Sequence, residues 1–536
     1  MKKVCVINLM RLGDLIQTIP LLYSIKRDFP ESTLDLVLIK PFASVIDIMP
    51  YVDNFHVIDY EIISKILSDK ATVTSYVYKY LSHFIKSLKR ENYDLLINVT
   101  PTNSALLLTR LITAQKIEGT YFDDSGYKVI TNPWVHYFYI TNLSRSLNSI
   151  NLVDMFIKTA RMRIYPPRAY LNGKCGSDEN SPYFCVHLGA STRRRALEPE
   201  ILAKAAALIS KETGLKVYIL GVSSEADLAE RFVRVFGEGC TNLVGKTNVR
   251  DLTEIIGSSA FLLCHDTGPM HIAWACGKRV LSIFISTANP FETGPYGTGH
   301  YVLQPTLPCY PCDHGVKCHT LECKKSLRPE PISRAALSLL LRDESLLGHQ
   351  EGLRVMKTIG GIDGMAELVP LTPLPYSKGL FAMLCWRSIL PPILDSRVNV
   401  EQILQNLDHR TRLFFERDLE GLSSDTGKEA SIIAEALGIT ESGLQILNRV
   451  LKGLSTTPKD YGRLSCLVGE LDEVEKTLER WAYINKHWEF PVSMLKLSLK
   501  TFASHQDAEG SAQKTLYYYK LVHEQFRILY EMLSNL

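Results

Sequence analysis

The groups in this chain best placed to do chemistry are a few carboxylates, helix-end amides, arginines and clustered cysteines. The densest set lies in Cys264-His265-Asp266-Thr267-Gly268-Pro269-Met270-His271-Ile272-Ala273. It follows an apolar run at 260–263, which reads as a buried parallel strand. It precedes a small-residue helix. Pro269 fits the first helical position, where its missing N–H costs nothing, and Thr267 or Gly268 would cap the helix. The amides of Gly268, Met270 and His271 would then face outward at the positive helix end and could hold an anion such as a pyrophosphate. The same residues also describe an ordinary capped helix that binds nothing.

A second candidate is Asp14, in Arg11-Leu12-Gly13-Asp14. It follows a predicted strand at 4–9, and open α/β sheets carry ligands at the carboxyl ends of their strands. Asp14 could take a proton, or it could only support a helix N-terminus. Arg11 could hold an anionic acceptor or be a surface charge. Further on, Leu188-Gly189-Ala190-Ser191-Thr192 is a small-residue turn followed by Arg193, Arg194 and Arg195. These arginines could neutralise phosphates or form a solvated loop. Glu225 opens a later helix, where it could accept hydrogen bonds from ribose hydroxyls or serve as a first-turn carboxylate.

Cys309, Cys312, Cys318 and Cys323 form a C-x2-C-x5-C-x4-C pattern with His314 and His319 among them. Four soft ligands this close could make a tetrahedral, structural Zn or Fe site. The alternative is four reduced thiols packing a loop.

The elements that must position these groups alternate. Strands are predicted at 4–9, 34–39, 55–57, 95–99 and 116–119, and helices at 15–28, 76–89, 104–111 and 152–162. Strand, glycine turn, helix is a Rossmann-type start, without a GxGxxG nicotinamide fingerprint. Pro166-Pro167 and the polar run 172–181 read as a linker. A second Rossmann-like unit follows, with strands at 183–187, 216–220 and 280–285 and a helix at 199–212. Then comes a turn-rich loop, Ser286 to Gly297. The segment 342–364 reads as a separator, and 368–375 is proline-punctuated. Helices are predicted beyond it at 400–405, 410–419, 428–437, 441–454, 461–484, 491–502 and 512–533, which makes a helical bundle. The fold class is therefore α/β with an α-helical C-terminal domain, divided at 1–165, 166–340 and 341–536.

Composition narrows the class of protein. The 536 residues are 46% hydrophobic and 22% charged, with a net charge of +3, as in a soluble globular protein rather than a charge-led nucleic-acid binder. No apolar run reaches the ~18 residues that span a bilayer, and no basic amphipathic helix stands out. The first residues have the basic end of a signal peptide but no cleavage pattern, so they read as the first strand. The 12 cysteines without a secretion signal are expected as reduced thiols.

Taken in order, Arg11-Leu12-Gly13-Asp14 with Thr18-Ile19-Pro20, Gly189-Ala190-Ser191, Asp266-Thr267-Gly268-Pro269-Met270-His271 and Thr293-Gly294-Pro295-Tyr296-Gly297 resemble the signature series of the glycosyltransferase family 9, the ADP-heptose:lipopolysaccharide heptosyltransferases. The resemblance implies a GT-B fold of two Rossmann-like domains with parallel sheets. It also implies inverting transfer of a heptose from ADP-heptose to a hydroxyl of a lipopolysaccharide core, with no catalytic metal. Asp14 would be the general base, with Arg11 and Gly13 on the acceptor side. On the donor side, the amides around Thr267-Gly268 and Met270 would hold the pyrophosphate, with Pro269 and His271 beside them, Glu225 would hold the ribose, and Asp266 would lie near the sugar. Ser191, Thr192 and Arg195 complete the donor side. Arg195 stands where the family usually has a lysine, and the two cations differ in geometry.

The resemblance places the protein in a bacterial cytoplasm, in peripheral contact with the inner face of the inner membrane, as an oligomer or a monomer. A protein acceptor, as in the relatives that modify autotransporters and bind iron through a cysteine-rich segment, is the enzyme alternative. A non-catalytic nucleotide-sugar-binding scaffold is the alternative of another class.

Overall fold

The structure is a computed structural model. It describes residues 1–59, 74–143, 148–171, 181–307, 309–312, 316, 318–348, 352–375, 378–415, 423–456, 460–502 and 507–534. Its compact units are Met1–Gly119 with Ile150–Thr372, and Thr120–Ser149 with Pro373–Leu536.

The first unit holds two Rossmann-like sheets. In the first, β1 (Lys3–Ile7) is followed by α1 (Leu12–Gln17) and α2 (Ile19–Asp28), then β2 (Thr33–Ile39) and β3 (Asn54–Ile58). The helix predicted at 15–28 is thus split at Thr18. Pro20 has no N–H, so the carbonyl four residues before it loses its helical partner. Next come α3 (Thr74–Arg90), β4 (Tyr93–Asn98), α4 (Asn103–Leu111) and β5 (Ala114–Phe122). The strands run parallel in the order β3-β2-β1-β4-β5. They are apolar on both faces because helices cover both. Leu88 of α3 and Leu108 of α4 enter one cluster with Cys5, Ile7 and Leu96. Burying each such leucine stabilises the fold by roughly 1.5–3 kcal/mol.

The last residues of β5 pair antiparallel with β6 (Lys128–Ile130), and α5 (Pro133–Leu143) follows. The chain re-enters the first unit at α6 (Leu152–Thr159), capped by the Asn151 side chain. The predicted linker at 172–181 lies outside the described residues up to Ser181.

The second sheet is built from β7 (Tyr183–His187), α7 (Pro199–Thr213), β8 (Lys216–Leu220), α8 (Ala226–Phe236), β9 (Cys240–Asn242), α9 (Val249–Gly257), β10 (Phe261–His265), α10 (Gly268–Ala275), β11 (Arg279–Ile283), α11 (Pro290–Thr293) and β12 (Tyr301–Pro305). The parallel strands lie in the order β12-β11-β10-β7-β8-β9, which is the 6-5-4-1-2-3 order of a Rossmann sheet. Beyond α12 (Glu322–Lys325) and α13 (Pro329–Leu341), β13 (Leu353–Gly360) and β14 (Ala366–Pro370) extend the sheet antiparallel from β12. The segment expected to separate domains at 342–364 therefore carries a strand. Its burial does not alternate strictly, Val355 and Met356 both being buried, so no clean period-two pattern marks it as a strand. Both sheets are mixed at one edge rather than wholly parallel.

The second unit is helical: α5 with α14 (Lys378–Leu394), α15 (Val400–Phe415), α16 (Ser423–Ser455), α17 (Tyr461–Ile484), α18 (Phe490–Phe502) and α19 (Ala508–Ser534). Two predicted pairs, 400–405 with 410–419 and 428–437 with 441–454, are each one continuous helix over their described residues, and 416–419 lie outside these. Trp481 meets Phe526 edge-on at 5.3 Å. Gly443 lets Tyr519 approach, since a Cβ there would lie 2.3 Å from its ring. The segment 120–149 joins this unit through Trp134, whose indole N–H donates to Asp395 (2.7 Å), and His136, stacked on Tyr518. Among the described residues no helix is long and apolar enough to cross a membrane.

Candidate functional site

Each Rossmann sheet reverses its strand order once, between β1 and β4 and between β7 and β10. Ligands bind such folds outside the carboxyl ends of the strands at that reversal. In the first sheet this is the turn carrying Arg11 to Asp14. Asn8, buried just past β1, pins the turn: its amide donates to Thr18 Oγ1 (2.6 Å) and the Asp14 carbonyl (3.2 Å), and its oxygen accepts from the Met10 amide (3.0 Å). The Asp14 carboxylate accepts the Arg11 backbone N–H at 3.1 Å. Asp14 thus does the helix-capping work that its sequence position allows, while staying half-exposed at the mouth of the sheet. The Arg11 side chain is exposed.

In the second sheet, β10 ends at His265 and runs straight into Asp266 and α10. Thr267 caps α10 in extended conformation, with Pro269 in the first turn. The Met270 amide donates to the Thr267 carbonyl at 3.1 Å. It is therefore not among the amides offered to an anion, unlike the expectation from the capping pattern.

Arg195 is the most constrained cation at this edge. Its Nε donates to Thr287 Oγ1 (2.8 Å), Nη2 to the Thr287 carbonyl (3.1 Å), and Nη1 to Ser191 Oγ and Asp266 Oδ2 (both 3.3 Å). The guanidinium and the Asp266 carboxylate are nearly covered. Ser191 and Thr192 are exposed at the same turn. Arg194 reaches the Val316 carbonyl, and the Lys324 ammonium takes the Arg193 carbonyl at 2.9 Å. The cysteine-rich segment thus packs against the arginine turn, a relation no local pattern announces.

His265 ties these loops together. Its Nε2 accepts the Leu197 amide at 3.0 Å, so the proton sits on Nδ1 and is donated to the Gly189 carbonyl at 3.2 Å. Burial, with His187 nearby, pulls its pKa down to about 3. Glu225 tucks its carboxylate over two glycines. A Cβ at Gly189 would sit 1.5 Å from Oε1, and one at Gly221 2.5 Å from Oε2. Oε2 accepts the Val222 amide at 2.9 Å. The first-turn role and a place beside the β7 turn are therefore both realised. Buried His187 lies 3.9 Å from this carboxylate, and desolvation lowers its pKa against the opposing pull of Glu225.

The two edges meet. A Cβ on Gly13 would lie 2.9 Å from His271 Cδ2, and one on Gly268 would lie 3.3 Å from Leu12 Cδ2. The start of α1 therefore packs on the start of α10. His271 Nδ1 accepts the Trp274 indole N–H at 3.1 Å, which leaves the proton on Nε2. Burial lowers the His271 pKa to about 3, so this tautomer persists at neutral pH. Behind α10, Trp274 packs edge-on against Tyr296 (5.7 Å). The Tyr296 hydroxyl donates to fully buried Asp154 (2.9 Å), and the Asn151 amide donates to the Gly294 carbonyl (3.2 Å). These anchors, Asp154 on α6 and Asn151 at its cap, escaped sequence reading, because a buried aspartate in a helix has no spacing signature. The polar residues where apolar strands end, His265 as the last of β10 and Asn8 just past β1, were the available signal.

The Cys312 thiol is pushed up by burial, then by Cys309, Cys323 and Cys318, so the four sulfurs share one neighbourhood. Among the described residues no group of three or more His, Cys, Asp or Glu is gathered as metal ligands. His314 lies outside the described residues.

Residues 176–321 match the family model of glycosyltransferase family 9 (heptosyltransferase). The chain is similar to lipopolysaccharide heptosyltransferase 3 of Escherichia coli, 24% identical over 292 residues that make up 52% of this chain and 82% of the relative. It is also similar to lipopolysaccharide core heptosyltransferase OpsX of Haemophilus influenzae, 23% identical over 309 residues, 55% of this chain and 82% of the relative. Among solved structures it resembles the family 9 glycosyltransferase of Veillonella parvula (TM-score 0.46, 18% identity, 64% of this chain and 98% of that one). Another is E. coli heptosyltransferase WaaC with ADP (TM-score 0.44, 18% identity, 55% and 91%). The match to the family 9 model covers residues 176–321, and the chain is longer than the stretch of 292 to 309 residues it shares with the first two relatives.

Proposed function

We propose that this glycosyltransferase moves a heptose from ADP-heptose to a hydroxyl of a lipopolysaccharide core acceptor, with inversion at the anomeric carbon. The acceptor would be met at the cytoplasmic face of the bacterial inner membrane. The observation that carries the reading is the contact of Gly13 with His271 and of Leu12 with Gly268. It brings the turn of a candidate base against the helix end of a candidate diphosphate site. The sugar and nucleotide come from the names of the relatives.

In this reading each group has one task. A sugar hydroxyl is a weak nucleophile, so the Asp14 carboxylate takes its proton as the new C–O bond forms. The anomeric carbon passes through an oxocarbenium-like state, and the ADP diphosphate leaves with the electron pair of the broken C–O bond. Its growing charge is met by the α10 end and by Arg195. Arg195 is already oriented by Thr287 and Ser191, so little reorganisation is needed. Glu225 accepts from the ribose hydroxyls, and Arg11 faces the anionic acceptor. No step passes through a metal. The four cysteines are proposed to hold a structural Zn or Fe ion beside the arginine turn, on the strength of their donor chemistry and spacing.

Calorimetry with ADP, UDP and GDP, alongside Glu225→Ala, tests the donor site. Selective ADP binding that weakens in the variant supports it. Preference for UDP or GDP overturns the donor, and no binding by folded protein overturns the transferase and the nucleotide-sugar-binding scaffold alike.

A further inference from the structure

The outward surface of α3 and α4 has no task in the transfer reaction. Both helices cover the same face of the first sheet, since Phe84, Ile85 and Leu88 of α3, Ala105 and Leu108 of α4 and Ile112 just after it pack in one cluster against the strands. Their other faces are open to solvent. On α3, Lys79, His83, Lys86 and Arg90 recur at spacings of four, three and four and form one exposed stripe, with Lys89 exposed beside it. The helix contains no aspartate or glutamate. Among the described residues, Lys79, Lys86, Lys89 and Arg90 make no ion pair. The segment is thus a basic amphipathic helix after all. Its one-sided charge is masked in the sequence by the tyrosines and serines between the lysines.

Apolar groups accompany the charge. Tyr76 and Tyr78 at the start of α3 are 57% and 72% exposed, and Leu107 and Leu111, one turn apart on α4, are 49% and 40% exposed. Water-facing leucines and tyrosines beside unpaired cations match an interface in which anionic headgroups neutralise the cations and the apolar side chains enter the acyl boundary. An acidic protein would satisfy the cations too; the bilayer is chosen because the cations run in one stripe along α3 with no acidic residue in the helix, which suits a uniformly anionic plane.

We propose that the outward face of α3 and α4 is a docking surface for an anionic lipid bilayer. This deepens the membrane-facing reading above by naming its surface, and it is measurable without any transfer. Full-length protein is sedimented with phosphatidylethanolamine–phosphatidylglycerol vesicles and with phosphatidylcholine vesicles. Binding is expected to the first and not to the second. It should be lost in about 1 M salt, where the screening length is roughly 3 Å. Each surface cation is worth on the order of fivefold in affinity, so K79A/K86A/K89A/R90A should bind several hundredfold more weakly. L107N/L111N, which keeps every cation, should lose about tenfold. Thermal unfolding and ADP calorimetry on the same variants check that they are folded and that the donor site is untouched. Absence of wild-type binding to anionic vesicles overturns the proposal, as does undiminished binding by the fourfold variant. ADP binding without vesicle binding removes this surface and leaves the transfer reading standing. Vesicle binding without ADP binding does the reverse.

Discussion

His271 and Gly13 are in contact across the two Rossmann halves: any side chain at position 13 would begin 2.9 Å from the His271 ring. The ring cannot simply turn away, because Trp274 holds its Nδ1 and burial holds its proton on Nε2. The mouth of the site is therefore set by the absence of one carbon atom.

Gly13→Ala should separate α1 from α10 by a few tenths of an ångström or more. A misplacement of about 1 Å would reduce kcat by about 10²-fold, so a shift of a few tenths is expected to give a smaller, measurable loss of kcat. The cost in stability should stay within roughly 1–3 kcal/mol, as for other overpacked sites. Steady-state kinetics with thermal unfolding checks this, and wild-type turnover by the variant would remove the contact from the argument.

Asp14 has two separable tasks, and two variants separate them. Asp14→Asn keeps an oxygen for the Arg11 amide, whereas Asp14→Ala loses it at a cost of about 1 kcal/mol. As the base, either change should lower kcat by roughly 10²–10⁴-fold and leave ADP affinity unchanged. An Asn variant with wild-type turnover would show that only the cap matters.

Several buried histidines make stability depend on pH, His300 among them, lowered to about 4 by burial. His136, His265 and His271 each fall from the ordinary value of 6.5 to about 3, through burial. Below pH 6.5 the unfolded chain takes up protons that the folded chain refuses. Stability is therefore fully present above pH 6.5 and lost as pH falls towards 3. The slope per histidine is roughly 1.4 kcal/mol per pH unit. Denaturant unfolding of His265→Asn between pH 6 and 4 should show a shallower slope than wild type; an unchanged slope would mean that His265 titrates alike in both states.

Metal analysis of the purified chain tests the cysteine cluster. One Zn or Fe per chain is expected, lost in Cys309→Ser and in Cys323→Ser, with reduced stability of the adjacent arginine turn. Metal-free protein of full stability would leave four packed thiols.

The local elements of both α/β halves were legible because their signals are local. Tyr183–His187 and Lys216–Leu220 are short apolar or β-rich runs bounded by turn residues, and Pro199 marks a helix start whatever surrounds it. The continuation of the second sheet was not legible. Whether residues 353–370 form strands depends on the free edge of β12, which they alone cannot reveal. Likewise, nothing in 120–149 announces that Trp134 and His136 pack among helices more than two hundred residues away.

The sequence by itself determined which residues could do chemistry: a carboxylate after a first strand, a proline-started helix after a central one, an arginine turn and four cysteines. Those follow from residue type and short spacing. Only the tertiary structure decided what each one faces. Arg195 is held by Thr287, His265 joins the Gly189 turn to Leu197, and Gly13 lies under His271. The reason is physical: a hydrogen bond or a close approach acts over about 3 Å in space, and chain separation carries no information about it until the two sheets are folded against each other.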